Sequence, residues 1–355
     1  MRSTVKVLVV DDSALTRQML TRALSLDPGI EVIGTAKTGV DAIEKSFTLR
    51  PDVVTLDIEM PELTGIEALP HIIKSTPARV VMLSAVDDPD TTYHALSLGA
   101  TDFIVKPRGG FASSLSELSE AVIKKIKTAY RVRPEHRFAV RDIVGGESSH
   151  HGTSARTVSG REVEYVVALA ASTGGPPALE AVFSGLDSSL PAAYLIVQHL
   201  PAGFTESLAR RLGRTTDIPV LPAESGMALQ AGSAYVAPYG SHMLVEGRKT
   251  ARVMLDDAPS MHGVRPAADP MMESVARHFA ERAIGVVLTG MGSDGARGLQ
   301  AIKDAGGETI AQDEDTSVVW GMPGASARSG AANHVVPLGR VSAEIRRAAR
   351  GVTGA

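Results

Sequence analysis

Short apolar runs, each stopped by a polar residue, recur through the first third of the chain: Val5–Val10, Ile30–Ile33, Val53–Leu56, Val80–Leu83 and Phe103–Val105. Between them the apolar positions change to helical spacing, as in Leu15, Met19, Leu20, Ala23 and Leu24, or Leu115, Leu118, Val122, Ile123 and Ile126. Unbroken apolar runs of strand length alternating with amphipathic helices predict βα units, and five of them make a doubly wound parallel sheet. The pattern resumes later. Val166–Ala170 passes directly into Ala171-Ser172-Thr173-Gly174-Gly175-Pro176-Pro177, a strand, a turn and a helix whose first turn tolerates both prolines. Tyr194–Gln198 precedes helical spacing over Phe204–Leu212, and Gly285–Thr289 precedes Ala296–Lys303. Tyr235–Ala237, Met243–Glu246 and Arg252–Leu255 are strand-like, the last two separated by a Gly-containing turn. The second unit is therefore expected to be an α/β parallel-sheet domain with an antiparallel insertion.

Gly145, Gly146, Ser148, Ser149, His150, His151, Gly152, Ser154, Ser159 and Gly160 crowd a stretch without apolar periodicity, which reads as a linker. The expected division is residues 1–127, a linker over 128–160, and 161–349. The adjacent histidines of the linker are given no metal role.

Composition narrows the chemistry. The 355 residues are enough for two cores, and 44% of them are hydrophobic. No apolar run approaches the about 18 residues of a membrane span. The apolar start is cut by Asp11 and Asp12 rather than by a cleavage site. A cytoplasmic protein without membrane insertion is expected. The absence of cysteine excludes disulfides, thiolate metal sites and cysteine nucleophiles. A net charge of −4 argues against nucleic acid as a partner.

Polar residues stand where strands of the first unit end: Asp11 and Asp12 after the first, Asp57 on the third, Ser84 on the fourth, Lys106 on the fifth. In such sheets the carboxyl ends of the strands share one rim. Three carboxylates packed there repel unless a cation joins them, and hard oxygen ligands suit Mg2+. Asp57 is then a candidate phosphoryl acceptor, with Lys106 and Mg2+ neutralising the transferring group and Ser84 binding one of its oxygens.

In the second unit Ser172 lies in a strand-to-helix turn. Taken by itself, a serine before a helix is most often an N-cap. His199 and Asp294 follow two other predicted strands, so the three side chains can meet on one rim as a nucleophile, base and acid. Their chain order, Ser, His, Asp, differs from that of α/β-hydrolases. Asp313 and Asp315 compete for the acid, in a polar run. A sharper rival is the glycine pattern Gly290-Met291-Gly292-Ser293-Asp294-Gly295, which fits a dinucleotide fingerprint. Asp294 inside that turn would set a carboxylate against a pyrophosphate, which disfavours the reading.

The first unit resembles the receiver domain of bacterial response regulators. The resemblance rests on Asp11-Asp12, Asp57-Ile58-Glu59-Met60-Pro61 with Gly65, Ser84-Ala85, and Gly99-Ala100 leading to Lys106-Pro107. It implies that Asp57 is the phosphorylation site, that the Glu59 backbone carbonyl helps hold the metal, and that Phe103 reorients with Ser84. A plain core role for Phe103 stands beside that switch role. Residues from about 163 to 340 resemble the catalytic domain of chemotaxis protein-glutamate methylesterases. The motifs are Ala171-Ser172-Thr173-Gly174-Gly175, Gln198-His199-Leu200-Pro201, Leu288-Thr289-Gly290-Met291-Gly292 with Asp294-Gly295-Ala296, and Ala311-Gln312-Asp313-Glu314 with Gly321-Met322-Pro323.

The resemblance implies Ser172 as nucleophile, His199 as base, Asp294 as acid, and Met291 with Thr173 as oxyanion support. It further implies hydrolysis of glutamyl methyl esters on methyl-accepting chemotaxis receptors without a cofactor, with glutamine deamidation beside it. Phosphorylation by a chemotaxis-type histidine kinase would control the activity. Ala170, Ser293 and Tyr239 depart from the usual residues, and Tyr239 bears on the substrate rim. The opposing expectation is a non-catalytic response regulator whose output domain only binds a partner.

Overall fold

The computed structural model describes residues 4–84, 88–106, 115–133, 162–247 and 250–351. Ala85, Pro107 and linker residues 134–160 lie outside the described residues, as do the side chains of Leu115 and Leu118. The chain divides into two compact units, Met1–Phe138 and Ala139–Ala355.

The first unit alternates β1 (Val5–Val10), α1 (Ala14–Leu24), β2 (Ile30–Ala36), α2 (Gly39–Leu49), β3 (Val53–Asp57), α3 (Gly65–Ser75), β4 (Arg79–Ser84), α4 (Pro89–Ser97), β5 (Asp102–Val105) and α5 (Leu115–Arg131). All five strands are parallel, in the order β2-β1-β3-β4-β5. The order reverses between β1 and β3, which opens a crevice beyond their carboxyl ends. One face of the sheet closes on α1 and α5 through Val7, Val9, Leu20, Leu24, Val81, Leu83, Val122 and Ile126. α5 runs past the expected boundary at residue 127. Ala129 and Val132 are 1% exposed, and the Val132 carbonyl accepts from Arg79 Nε at 2.7 Å. Residues 128–132 therefore belong to the first unit and not to the linker.

The second unit contains β6 (Tyr165–Ala171), α6 (Gly175–Ser184), β7 (Ala192–Gln198), α7 (Thr205–Leu212), β8 (Val220–Pro222), β9 (Ser233–Val236), β10 (His242–Glu246) and β11 (Arg252–Asp256). It continues with α8 (Ala268–Phe279), β12 (Ala283–Val287), α9 (Ala296–Asp304), β13 (Glu308–Gln312), α10 (Met322–Arg328), β14 (His334–Val336) and α11 (Leu338–Gly351). Seven strands form a parallel sheet in the order β14-β13-β12-β6-β7-β9-β8, and β10 pairs antiparallel with β11 outside it. The strand-like segments Met243–Glu246 and Arg252–Leu255 make the expected antiparallel pair. The strand holding Tyr235 is buried at every position and pairs parallel with β7. β6 and β7 are likewise buried throughout, as strands covered on both faces must be. From β6 the chain builds outward through β7, then returns to place β12 on the other side of β6, so the switch point lies between β6 and β12. Met271, Met272, Val275 and Phe279 of α8 join Met243, Val245 and Val253 in the core beneath this point. Among the described residues no helix is long and apolar enough to cross a membrane.

Candidate functional sites

In the first unit the switch-point crevice gathers the expected residues. Asp11 and Asp57 are buried and Asp12 is exposed, and carboxylate oxygens of the three lie within 4.8 Å of one another. Lys106 Nζ reaches Asp57 Oδ2 at 2.7 Å and Asp11 Oδ2 at 2.8 Å. Beyond that ion pair the wholly buried Asp11 Oδ2 has no further partner among the described residues. A buried, underused carboxylate oxygen facing two other acids is the donor set that a hard divalent cation satisfies. Burial pushes the Asp57 carboxyl up to about 6, against the pull of Lys106 and with help from the Asp11 and Asp12 charges. Burial opposes the Lys106 charge too, but Asp11 and Asp57 outweigh it and hold the ammonium above its ordinary value. Glu59 sits two residues beyond β3 with its side chain exposed.

Ser84 is buried and its Oγ hydrogen-bonds Thr92 Oγ1 of α4. Phe103 is 6% exposed, with Lys125 Nζ 5.3 Å above its ring. Two contributors escaped the sequence reading. Thr92 partners Ser84, and Arg17 Nη1 donates to the Asp11 and Asp12 carbonyls at 2.8 and 2.9 Å, fixing the acidic turn.

In the second unit Ser172 and His199 each follow the last residue of a strand. Ala171 and Gln198 are register partners, and His199 N donates to the Ala171 carbonyl at 3.1 Å. Ser172 and His199 are thus neighbours by strand pairing alone. On the other side Ser172 N donates to the Thr289 carbonyl at 3.0 Å, which ties the serine to the chain leaving β12. Asp294 lies on that segment, and its Oδ2 is 2.8 Å from His199 Nε2. Burial works against the Asp294 charge, yet His199 and the amides of Ala268 and Asp269 hold its carboxyl below the usual range. A carboxylate in that state only accepts, so Nε2 of His199 carries the proton and Nδ1 is left as the basic nitrogen. Ser172 Oγ forms no hydrogen bond among the described residues.

Ser172 is not a helix cap. The N-cap of α6 is Gly174, in a left-handed conformation at φ 77° and without a side-chain capping bond. Gln198, buried, holds nucleophile and base together: its Nε2 donates to the Ser172 carbonyl at 3.0 Å and to the His199 carbonyl at 3.1 Å. Gly290 must lack a side chain, because a Cβ there would lie 2.8 Å from Ser172 Cβ and 2.3 Å from Met322 Sδ. Gly290→Ala is expected to cost about 1–3 kcal/mol through overpacking. It should also displace Ser172, seen as a lower Tm together with slower reaction of Ser172 with an active-site probe. Unchanged labelling would show that the close approach is irrelevant to the serine.

The same geometry bears on two of the rivals, Asp313 and the dinucleotide reading. Asp313 Oδ1 accepts from Thr316 N at 3.0 Å and Thr316 Oγ1 at 2.6 Å, a local turn contact. The amides of Gly295 and Gly298 at the start of α9 already donate to Asp269 Oδ1, so a pyrophosphate finds that helix end occupied by a carboxylate. Met291 and Thr173 follow Gly290 and Ser172 respectively, which places their backbones beside the nucleophile. Asp269 and His262, in hydrogen-bond contact with each other near Asp294, had no signal in the sequence.

An acidic crevice with a buried lysine on one parallel sheet, and Ser, His and Asp on the rim of another, define a response regulator with a hydrolase output unit. Comparison with known proteins narrows this further. Residues 7–113 match the response regulator receiver domain, and residues 167–345 match the CheB methylesterase family. A protein-glutamate methylesterase/protein-glutamine glutaminase of Pyrococcus abyssi is 44% identical over 99% of this chain and 95% of its own length. One of Symbiobacterium thermophilum is 43% identical over 97% of each chain. The crystal structure of the Thermotoga maritima CheB methylesterase catalytic domain aligns with 52% of this chain and 97% of its own, at 36% identity and a TM-score of 0.51. The chain belongs to the CheB methylesterase family.

Proposed function

We propose that this protein is a phosphorylation-regulated serine hydrolase that demethylates glutamyl methyl esters on the cytoplasmic parts of methyl-accepting chemotaxis receptors. The observation that carries the reading is the 2.8 Å pair of His199 Nε2 and Asp294 Oδ2 at the switch point, beside a serine that caps nothing. Ser172 Oγ attacks the ester carbon while His199 Nδ1 takes its proton. Backbone N–H groups at Met291 and Thr173 stabilise the oxyanion. Collapse breaks the bond to the methoxy group, His199 returns the proton, and methanol leaves. Water, activated by the same nitrogen, hydrolyses the acyl-enzyme to glutamate and free serine. A glutamine amide follows the same route with ammonia as leaving group, which accounts for deamidation.

Control comes from the first unit. A chemotaxis-type histidine kinase donates a phosphoryl group to Asp57. Asp11, Asp12, Asp57 and the Glu59 carbonyl would hold Mg2+, which when bound neutralises charge on the transferring phosphoryl group. Lys106 pairs with a phosphoryl oxygen, Ser84 leaves Thr92 to bind another, and Phe103 follows it inward.

A fluorophosphonate probe tests the hydrolase reading against a partner-binding output. Labelling of the wild type and none of Ser172→Ala is the expected result. Absence of labelling in phosphorylated and unphosphorylated protein alike would favour the binding module.

A further inference from the structure

Asp294 is half of a reciprocal pair of carboxylates. Although it precedes α9, its Oδ2 accepts from Ala268 N at 2.7 Å and its Oδ1 from Asp269 N at 3.0 Å, the first amides of α8. Asp269, in the first turn of α8, returns the contact: its Oδ1 accepts from Gly295 N at 2.9 Å and Gly298 N at 2.8 Å, which open α9. The N-cap positions of the two helices, Ala267 and Gly295, supply no side-chain bond of their own. Each carboxylate thus satisfies the orphan amides of the other's helix and lies against its positive end. Both are 1% exposed. His262 Nε2, on the solvent side, is 2.7 Å from Asp269 Oδ2 and 3.8 Å from Asp294 Oδ1.

We propose that Asp269 and His262 are positioning residues for the reaction, acting through Asp294 on His199. The proposal rests on the triad reading above. Asp294 can hold His199 only if its carboxylate plane is fixed, since Oδ2 serves His199 and Ala268 N together. Asp269 supplies that fixity by anchoring Gly295, the residue next to Asp294, and by presenting its own amide to Asp294 Oδ1. His262 donates to the remaining Asp269 oxygen and closes the network against water. Asp269 also places a second buried negative charge behind the acid that faces His199. Besides His199 and His262, the charged or titratable groups on the elements packed here include the buried His242 of β10, whose Nδ1 accepts from Ala267 N at 3.1 Å, Arg277 and His278 of α8, Lys303 and Asp304 of α9, and the Glu273–Arg297 pair that bridges α8 and α9 at 2.6 Å.

Intact protein carrying Asp269→Asn tests this. Asparagine keeps the shape and one oxygen for the Gly295 and Gly298 amides but loses the charge. Methanol release from methylated receptor fragments should fall about tenfold in kcat with KM unchanged. Removing a nearby negative charge lowers the proton affinity of an imidazole. The acidic limb of kcat/KM should therefore move to lower pH by about one unit. His262→Ala should slow the reaction, and His262→Gln, which keeps a donor, should restore most of it. A parallel fall in rate and Tm with the acidic limb unmoved would overturn the proposal and leave Asp269 as a helix cap only. So would equal rates for His262→Ala and the wild type, a test that stands even if Asp269→Asn fails to fold. Failure of the underlying triad would look different: Ser172→Ala and Asp294→Asn would then label and turn over like the wild type.

Discussion

Asp294→Asn is expected to lower kcat by about 10⁴, the scale of loss when the tautomer-fixing acid of a serine protease triad is replaced by its amide. The reason lies in what its two oxygens do. Oδ2 receives the proton-bearing Nε2 of His199, which leaves Nδ1 free to accept from Ser172. An amide nitrogen facing His199 would force the opposite tautomer and place the proton on the wrong ring atom. Turned the other way, that nitrogen would confront the amides of Asp269 and Gly295. Either orientation loses one accepting position at the start of α8, so a stability loss of about 1 kcal/mol should accompany the kinetic one. Asp313→Asn keeps an oxygen for Thr316 and should change kcat little. The two variants, compared by steady-state methanol release, decide the assignment: the larger loss at Asp313 would move the acid to that residue.

The second large effect is all or nothing. With acetyl phosphate and Mg2+ the protein should gain one phosphoryl group, seen as a mass increase, and Asp57→Asn should gain none. A buried carboxylate is a poor acceptor unless the charge added to it is offset, and the crevice offers Lys106 and the acidic cation site for that purpose. Chelation should slow uptake strongly. Lys106→Ala should still take up phosphate, more slowly, but lose the response of the hydrolase to it. Phosphate recovered on any residue other than Asp57 would undo this account of the first unit.

Much of this was legible in the sequence because function in open α/β sheets gathers where strands end, and a polar residue that stops an apolar run marks such an end. Asp11, Asp57, Ser84, Lys106, Ser172 and His199 were all visible in that way. The short strands Val220–Pro222 and His334–Val336 were not, since three half-exposed residues at the rims of a sheet leave no periodicity to read. The tertiary part of the site was equally silent. Asp269 and His262 sit in a helix start and a loop, and what brings them to the site is Asp294, 25 residues beyond the first and 32 beyond the second. Which nitrogen of His199 faces the acid is likewise a matter of how β7 and β12 flank β6. The residue type carries no trace of it.

The central claim joins a serine hydrolase to a phosphoryl switch on one chain, and methanol release from methylated receptor cytoplasmic fragments tests both together. Wild type should release methanol, faster with a phosphodonor. Ser172→Ala should release none, and Asp57→Asn should retain a basal rate that the donor no longer raises. Methanol release by Ser172→Ala at the wild-type rate, or none by the wild type in either state, would contradict the account.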